Sequence, residues 1–146
     1  AMITLDKARV SVACNSVGIA RAALEAAIVY AKERVQFGRP IAQTQGIQFM
    51  LADMAMYIEA GRLMYMKAGW METQGTPFSN QAAFAKTFCS DMAMRVTTDV
   101  VQVFGGNGYM RDYPVEKYMR DAKINQIWDG TNQIQRIVMA RALLGK

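Results

Sequence analysis

The sequence predicts an all-α fold: an antiparallel four-helix-type bundle of three long helices, completed by shorter C-terminal helices. Apolar residues recur at steps of three and four in three successive stretches, and segments holding Gly and Pro punctuate the chain between them. Beyond the first few residues, nothing alternates with period two over a useful length.

The first stripe is Val10, Ala13, Val17, Ala20, Leu24, Ala27 and Ala31, within a helix expected near 6–36. Phe37-Gly38-Arg39-Pro40 ends it as a turn. Ile47, Met50, Met54, Tyr57, Gly61 and Met64 mark a second helix near 44–73, stopped by Gln74-Gly75-Thr76-Pro77. Ser79 or Asn80 is placed to cap a third helix near 80–104, with the stripe Phe84, Phe88, Met92, Val96, Val100 and Val103. Gly105-Gly106-Asn107-Gly108 breaks the chain, and Pro114 opens a short helix near 114–122. A last helix is expected near 132–144 with Thr131 as its N-cap. Long amphipathic helices joined by short loops bury their stripes against one another, so one domain over 1–146 is expected.

Composition narrows the function. The chain is 52% hydrophobic and 20% charged, the profile of a globular chain rather than a disordered one. Its net charge is +5, but basic and acidic residues alternate, as in Lys32-Glu33-Arg34 and Arg120-Asp121-Ala122-Lys123. Without a basic stripe, nucleic acid is not an expected partner, and a phosphate-bearing small ligand fits the charge at least as well. The absence of histidine excludes Ser-His-Asp and Cys-His catalysis within the chain. No metal-ligand spacing occurs, so no metal is expected. Cys14 and Cys89, isolated on helical patterns, read as buried free thiols of a reducing compartment. No membrane-spanning apolar run and no signal peptide are read from the sequence.

Four local constellations carry chemical potential. In Glu33-Arg34-Val35-Gln36-Phe37-Gly38-Arg39-Pro40, an Arg beside an aromatic and a turn can hold a phosphate and stack a ring, though it also reads as a plain helix stop. In Gln102-Val103-Phe104-Gly105-Gly106-Asn107-Gly108-Tyr109, the glycines let backbone approach a ligand, or simply form a loop. No strand precedes them, so this is not a dinucleotide fingerprint. The charges from Tyr113 to Lys123 fall at helical neighbour spacings, which suits a solvated, salt-bridged face. In Ile127-Trp128-Asp129-Gly130-Thr131-Asn132-Gln133-Ile134-Gln135-Arg136, a loop carboxylate in an apolar setting precedes a capped helix. Asp129 is therefore either a candidate base or a turn residue.

Taken together and in this order, these segments resemble the acyl-CoA dehydrogenase family, and the likeness runs over the whole chain. Leu5-Asp6-Lys7-Ala8-Arg9, the stretches 30–38 and 45–54, Gln102 to Gly108, Tyr113 to Lys123 and Asp129 to Arg136 all look like the family's C-terminal helical domain. The run Pro114-Val115-Glu116-Lys117 through Met119-Arg120-Asp121-Ala122-Lys123 is the most specific, and medium- and short-chain enzymes are the nearest type.

The resemblance implies FAD as cofactor and an acyl-CoA as substrate. A carboxylate takes the α-proton, a hydride leaves the β-carbon for flavin N5, and electrons pass to electron-transfer flavoprotein. It implies a homotetramer of three-domain subunits, with the N-terminal helical and middle β domains outside this chain. Ala1-Met2 looks like internal family sequence, so the chain is expected to start inside a larger protein and to be inactive alone. By resemblance, Arg34, Phe37 and Gln45 hold the FAD of a neighbouring subunit. Gln102, Val103, Phe104, Gly105 and Gly106 make further FAD contacts, as do Thr131, Asn132 and Gln133. Asp6 and Arg9 contact the CoA part, and Gly130 lines the substrate.

The base position in most relatives is Glu after Tyr; here it is Asp129 after Trp128. Some branches keep a base just before the Arg of Leu-Asp-x-x-Arg, but Ala8 stands there. Asp129 is the one matched carboxylate. Asp at this position resembles dehydrogenases of alicyclic acyl-CoAs such as cyclohexanecarboxyl-CoA. The competing classes are a non-catalytic helical oligomerisation module and an acyl-CoA oxidase. The expected compartment is the bacterial cytoplasm or the mitochondrial matrix, with no secretion.

Overall fold

The computed structural model describes residues 2–145, with side chains from 4 to 145. Ala1 and Lys146, both part of the expected one-domain span, lie outside them. The elements in order are α1 (Met2–Glu33), a hairpin of β1 (Val35–Gln36) and β2 (Arg39–Pro40), α2 (Gln45–Thr73), α3 (Ser79–Phe104), α4 (Gly106–Tyr109), α5 (Val115–Ile124) and α6 (Asn132–Leu144). A single 3₁₀ turn, Ile41–Gln43, joins the hairpin to α2.

α3 is the centre of the bundle, packed against α1, α2, α5 and α6. Its composition explains that place: small or apolar residues cover most of its circumference, and Ala82, Ala85, Ala93, Val96 and Val100 are fully buried. Ala13, Ala20 and Ala27 present an equally small face from α1, which lets the helices approach closely. The expected stripes join the core through Val17 and Leu24 of α1, Met54 of α2, and Met92 and Val103 of α3, and Ile58 of α2, outside the expected stripe, joins them.

The first helix differs at both ends from the expectation near 6–36. It begins by Met2, which removes the short alternating stretch considered there, and it stops at Glu33. The stop is caused by a two-residue hairpin in which Val35 pairs with Pro40 and Gln36 with Arg39. Phe37 (φ 52°) and Gly38 (φ 77°) both take left-handed backbone, the geometry of a tight hairpin turn that matches strand twist.

The expected cap of α3 by Ser79 or Asn80 is also corrected. Phe78 holds the cap position without a side-chain bond. The Ser79 hydroxyl instead donates to Asp6 Oδ1 at 3.0 Å, a long-range contact. Thr131 caps α6 as expected, accepting the Ile134 N–H at 3.4 Å. On α5, Arg120 pairs with Glu116 at 2.9 Å and Lys117 with Asp121, one turn apart and largely exposed, which is the solvated face the spacing suggested.

Cys14 is exposed, contrary to expectation, while Cys89 is buried. Burial, with Cys14 a lesser influence, pushes the Cys89 thiol up to about 12, so it stays a thiol and packs as a small apolar group. In length and composition α1 does reach what a membrane span requires. Here its Ala-rich stripe is buried on α3, and Ser16 returns its hydroxyl to Val12 O at 2.8 Å.

Candidate functional site

The residues singled out in the sequence gather in three places. The first is a groove of about 660 Å³ at the end of α1. Arg34, Gln36, Phe37 and Arg39 come to it from the hairpin, and Gln102 to Asn107 from the end of α3. Two segments nearly seventy residues apart in sequence thus form one wall each. Gln45 stands at the start of α2, between the lining residues Thr44 and Ile47.

An aromatic cluster holds the walls together. The Tyr30 ring stacks on Phe104 with centroids 4.0 Å apart, and Tyr113 meets both rings edge-on. The Tyr30 hydroxyl donates to Phe104 O at 3.3 Å and accepts from Asn107 Nδ2 at 2.8 Å. Val103 and Phe104 are therefore core residues that also line the groove. Gly105 (φ 61°) and Gly106 follow, and a Cβ built on either would point into open space. Gly108 is different: a Cβ there would lie 2.7 Å from Val101 O. Its role is packing, whereas the first two glycines leave room.

Phe37 is fully exposed at 101%, on left-handed backbone that a bulky residue rarely adopts. Strain of this kind, with an apolar ring held in solvent, marks a contact surface. Two guanidinium groups, Arg34 and Arg39, share the groove with this ring, which suits a ligand carrying phosphates and a flat aromatic system. The open cradle at Gly105 and Gly106 gives such a ligand access to backbone.

The second place is the loop between α5 and α6. Asp129 (φ 52°) and Gly130 (φ 88°) are consecutive left-handed residues. Fully buried Gln135 reaches back from α6, and its Nε2 donates to Gly130 O at 2.9 Å and Asp129 O at 3.3 Å. A Cβ on Gly130 would meet that nitrogen at 2.8 Å, so Gly is required twice over, by its φ and by the clamp. Thr131, Asn132 and Gln133 border a cleft of about 480 Å³ with Asp91, Lys123, Gln126 and Arg136. This cleft shares no lining residue with the first groove, so the residues assigned to FAD form two sites on one chain.

The Asn132 side chain is occupied internally. Its Nδ2 donates to Ser90 Oγ at 2.8 Å and Asp91 Oδ1 at 2.7 Å, and its Oδ1 accepts from Lys86 Nζ at 2.7 Å. Lys86 is fully buried on α3. Burial lowers its pKa to about 8, against the opposing pull of Asp91 and Asp129 and with the help of Arg9. Lys86, Gln135 and Asp91, together with Arg39, Tyr30 and Asn107, were missed as site residues. For Lys86 a signal existed: it falls on the face of α3 that carries Ala82, Cys89, Ala93 and Val100, where a charge is out of place.

The third place joins the start of α1 to the start of α3. Asp6 and Arg9 are both buried and form an ion pair at 2.6 Å. Asp6 also lines a surface cleft with Lys7, Glu72 and the 75–79 turn. Arg9 is turned inward, so its matched role toward CoA does not follow from its position here.

The family model described as "Acyl-CoA dehydrogenase, C-terminal domain" matches residues 1–144. The chain belongs to the acyl-CoA dehydrogenase family. A probable acyl-CoA dehydrogenase of Mycobacterium tuberculosis is 57% identical over 145 residues, 99% of this chain and 37% of that protein. The structure of butyryl-CoA dehydrogenase from Megasphaera elsdenii matches with TM-score 0.97 and 54% identity, over 98% of this chain and 37% of that one. A chain from a structure described as the electron-transferring flavoprotein of Acidaminococcus fermentans matches with TM-score 0.98 and 56% identity, over 99% of this chain and 38% of that one. This acyl-CoA dehydrogenase domain thus spans under two fifths of the relatives it matches.

Proposed function

We propose that this domain supplies the base and part of the flavin site of an acyl-CoA dehydrogenase that introduces an α,β double bond into an acyl-CoA thioester. The observation that carries the reading is the Asp129 carboxylate, displayed on a left-handed loop whose two carbonyls are clamped by Gln135. Asp129 takes the α-proton of the thioester as the β-hydrogen departs as hydride. FAD supplies the acceptor for that hydride when bound. Arg34 and Arg39 would hold its phosphates, Phe37 would meet a flat ring, and Gly105 and Gly106 would leave it room beside the backbone. Thr131 and Gln133, at the start of α6, would serve a second flavin contact at the positive end of the helix dipole. Electron-transfer flavoprotein is the proposed electron acceptor of the whole enzyme, in keeping with the Acidaminococcus relative.

The Arg34→Ala variant of the whole enzyme tests the flavin site. A charge-assisted pair is worth roughly 1.5–3 kcal/mol, so FAD should bind about ten- to a hundredfold more weakly with the melting of the apoprotein unchanged. Full flavin content after gel filtration would remove Arg34 from the site.

Self-association is proposed through α2. Phe49, Met56, Leu63 and Trp70 recur every seventh residue, each 58–61% exposed, as a continuous apolar seam. A second copy of the protein covers this seam in the proposed homotetramer. Leu63→Glu should shrink the particle measured by light scattering; an unchanged mass would place the contact between copies elsewhere.

A further inference from the structure

We propose that Lys86 is a positioning residue for the base: its buried ammonium pins Asn132, and with it the loop that presents Asp129. The inference rests on the reading of Asp129 as the base.

Among the described residues, Lys86 is the largest side chain that the fold buries completely. A lysine is rarely placed so unless it is held by a partner. Its Nζ donates to Asn132 Oδ1 at 2.7 Å, and Asn132 is the first residue of α6. The backbone N–H of Asn132 donates to Gln126 O at 3.0 Å, which closes the loop 126–132 on itself. The amide of Asn132 is fixed on its other side by Ser90 and Asp91, and Gln126 Nε2 also donates to Asp91 Oδ1 at 2.7 Å. Arg136 completes the frame, donating to Asp91 Oδ2 at 2.9 Å and Asn132 O at 3.2 Å. Both ends of the Asp129 loop are therefore tied to α3, Gln126 through Asp91 and Asn132 through Asp91, Ser90 and Lys86, and the Lys86 ammonium is the nearer of the two donors on Asn132 Oδ1, with Ser90 Oγ at 3.2 Å. The charged groups facing Lys86 are Asp91 on its own helix, Asp129 on the loop and Arg9 on α1. The ammonium thus also feels the charge of the carboxylate that receives the proton, and attracts it in turn.

The test uses the whole holoenzyme, with butyryl-CoA as probe and flavin bleaching in stopped flow as readout. Lys86→Met removes donor and charge; Lys86→Gln keeps a donor for Asn132 and removes the charge; Asp129→Asn serves as reference. Misplacement of a base by about 1 Å can lower a rate about a hundredfold, and that loss is expected in Lys86→Met with KM and FAD content within about twofold of wild type. Lys86→Gln should regain about tenfold of it. The wild-type bleaching rate should fall as pH rises past about 8, where the ammonium loses its proton, and Lys86→Gln should lack that limb. If Lys86→Met does not fold, the presence or absence of this limb in Lys86→Gln decides alone. Bleaching within about threefold of wild type in Lys86→Met, beside an inactive Asp129→Asn, would overturn the role of Lys86. So would an alkaline limb that persists in Lys86→Gln. An unimpaired Asp129→Asn instead overturns the base assignment, and the role of Lys86 with it.

Discussion

Asp129→Asn in the whole enzyme is expected to keep the fold and the flavin and to lose flavin reduction by acyl-CoA about 10²- to 10⁴-fold. The conservation of fold has a specific reason. Asp129 sits at φ 52°, and Asn is among the residues that tolerate left-handed backbone best. The clamp from Gln135 binds backbone carbonyls, which the substitution leaves in place. What disappears is the acceptor for the α-proton, and Ala8 offers none at the alternative position. Asp129→Glu separates two kinds of substrate pocket. The added methylene advances the carboxylate by about 1.5 Å. With both loop carbonyls clamped, the backbone has little freedom to retreat and compensate. A pocket shaped for straight chains should therefore bleach faster with butyryl- or octanoyl-CoA in this variant. A pocket shaped around a ring should turn over cyclohexanecarboxyl-CoA more slowly. Stopped-flow bleaching of Asp129→Asn at the wild-type rate would take the base away from this loop.

Gly108→Ala is expected to lower stability by about 2–4 kcal/mol, while Gly106→Ala leaves stability nearly unchanged and weakens FAD binding about tenfold or more. The two glycines are neighbours in sequence but opposite in circumstance. A Cβ on Gly108 would sit 2.7 Å from both Val101 O and Phe104 Cβ, where α3 and α4 are already in contact. Relief would require the Tyr30–Phe104–Asn107 arrangement to shift. A Cβ on Gly106 meets nothing within 4 Å, so it enters the groove beside Arg34 and Phe37. Thermal melting and flavin titration of the two variants check the contrast. Equal melting temperatures would show that the Gly108 contact relaxes without loss.

Periodicity exposed the bundle because burial is what spaces apolar residues by three and four. Val17, Val96 and Val100 were identifiable as core for that reason, and they are core. Local signals failed where a side chain found a distant partner. Ser79 looks like a cap in sequence, yet Asp6, far away along the chain, takes its hydroxyl. The stop of α1 three residues early depends on Phe37 accepting left-handed backbone, which Phe seldom does. The resemblance assigns Arg34 to the FAD of a neighbouring subunit and Thr131 and Asn132 to further FAD contacts, and only the fold shows that the two groups line clefts with no residue in common.

Residue types and their spacing by themselves determined the helical class, the absence of histidine chemistry, the family resemblance and the one carboxylate at a matched base position. These follow from local periodicity and from which functional groups are present at all, so no coordinates are needed for them. Tertiary structure alone decided which glycine leaves room and which one packs, that Asn132 faces inward, and that Lys86 lies fully buried under the Asp129 loop. Those facts depend on distances between segments that are remote in the chain, where a few tenths of an ångström separate contact from overlap. They also depend on burial, which turns an ordinary lysine into one whose charge must be answered by named neighbours.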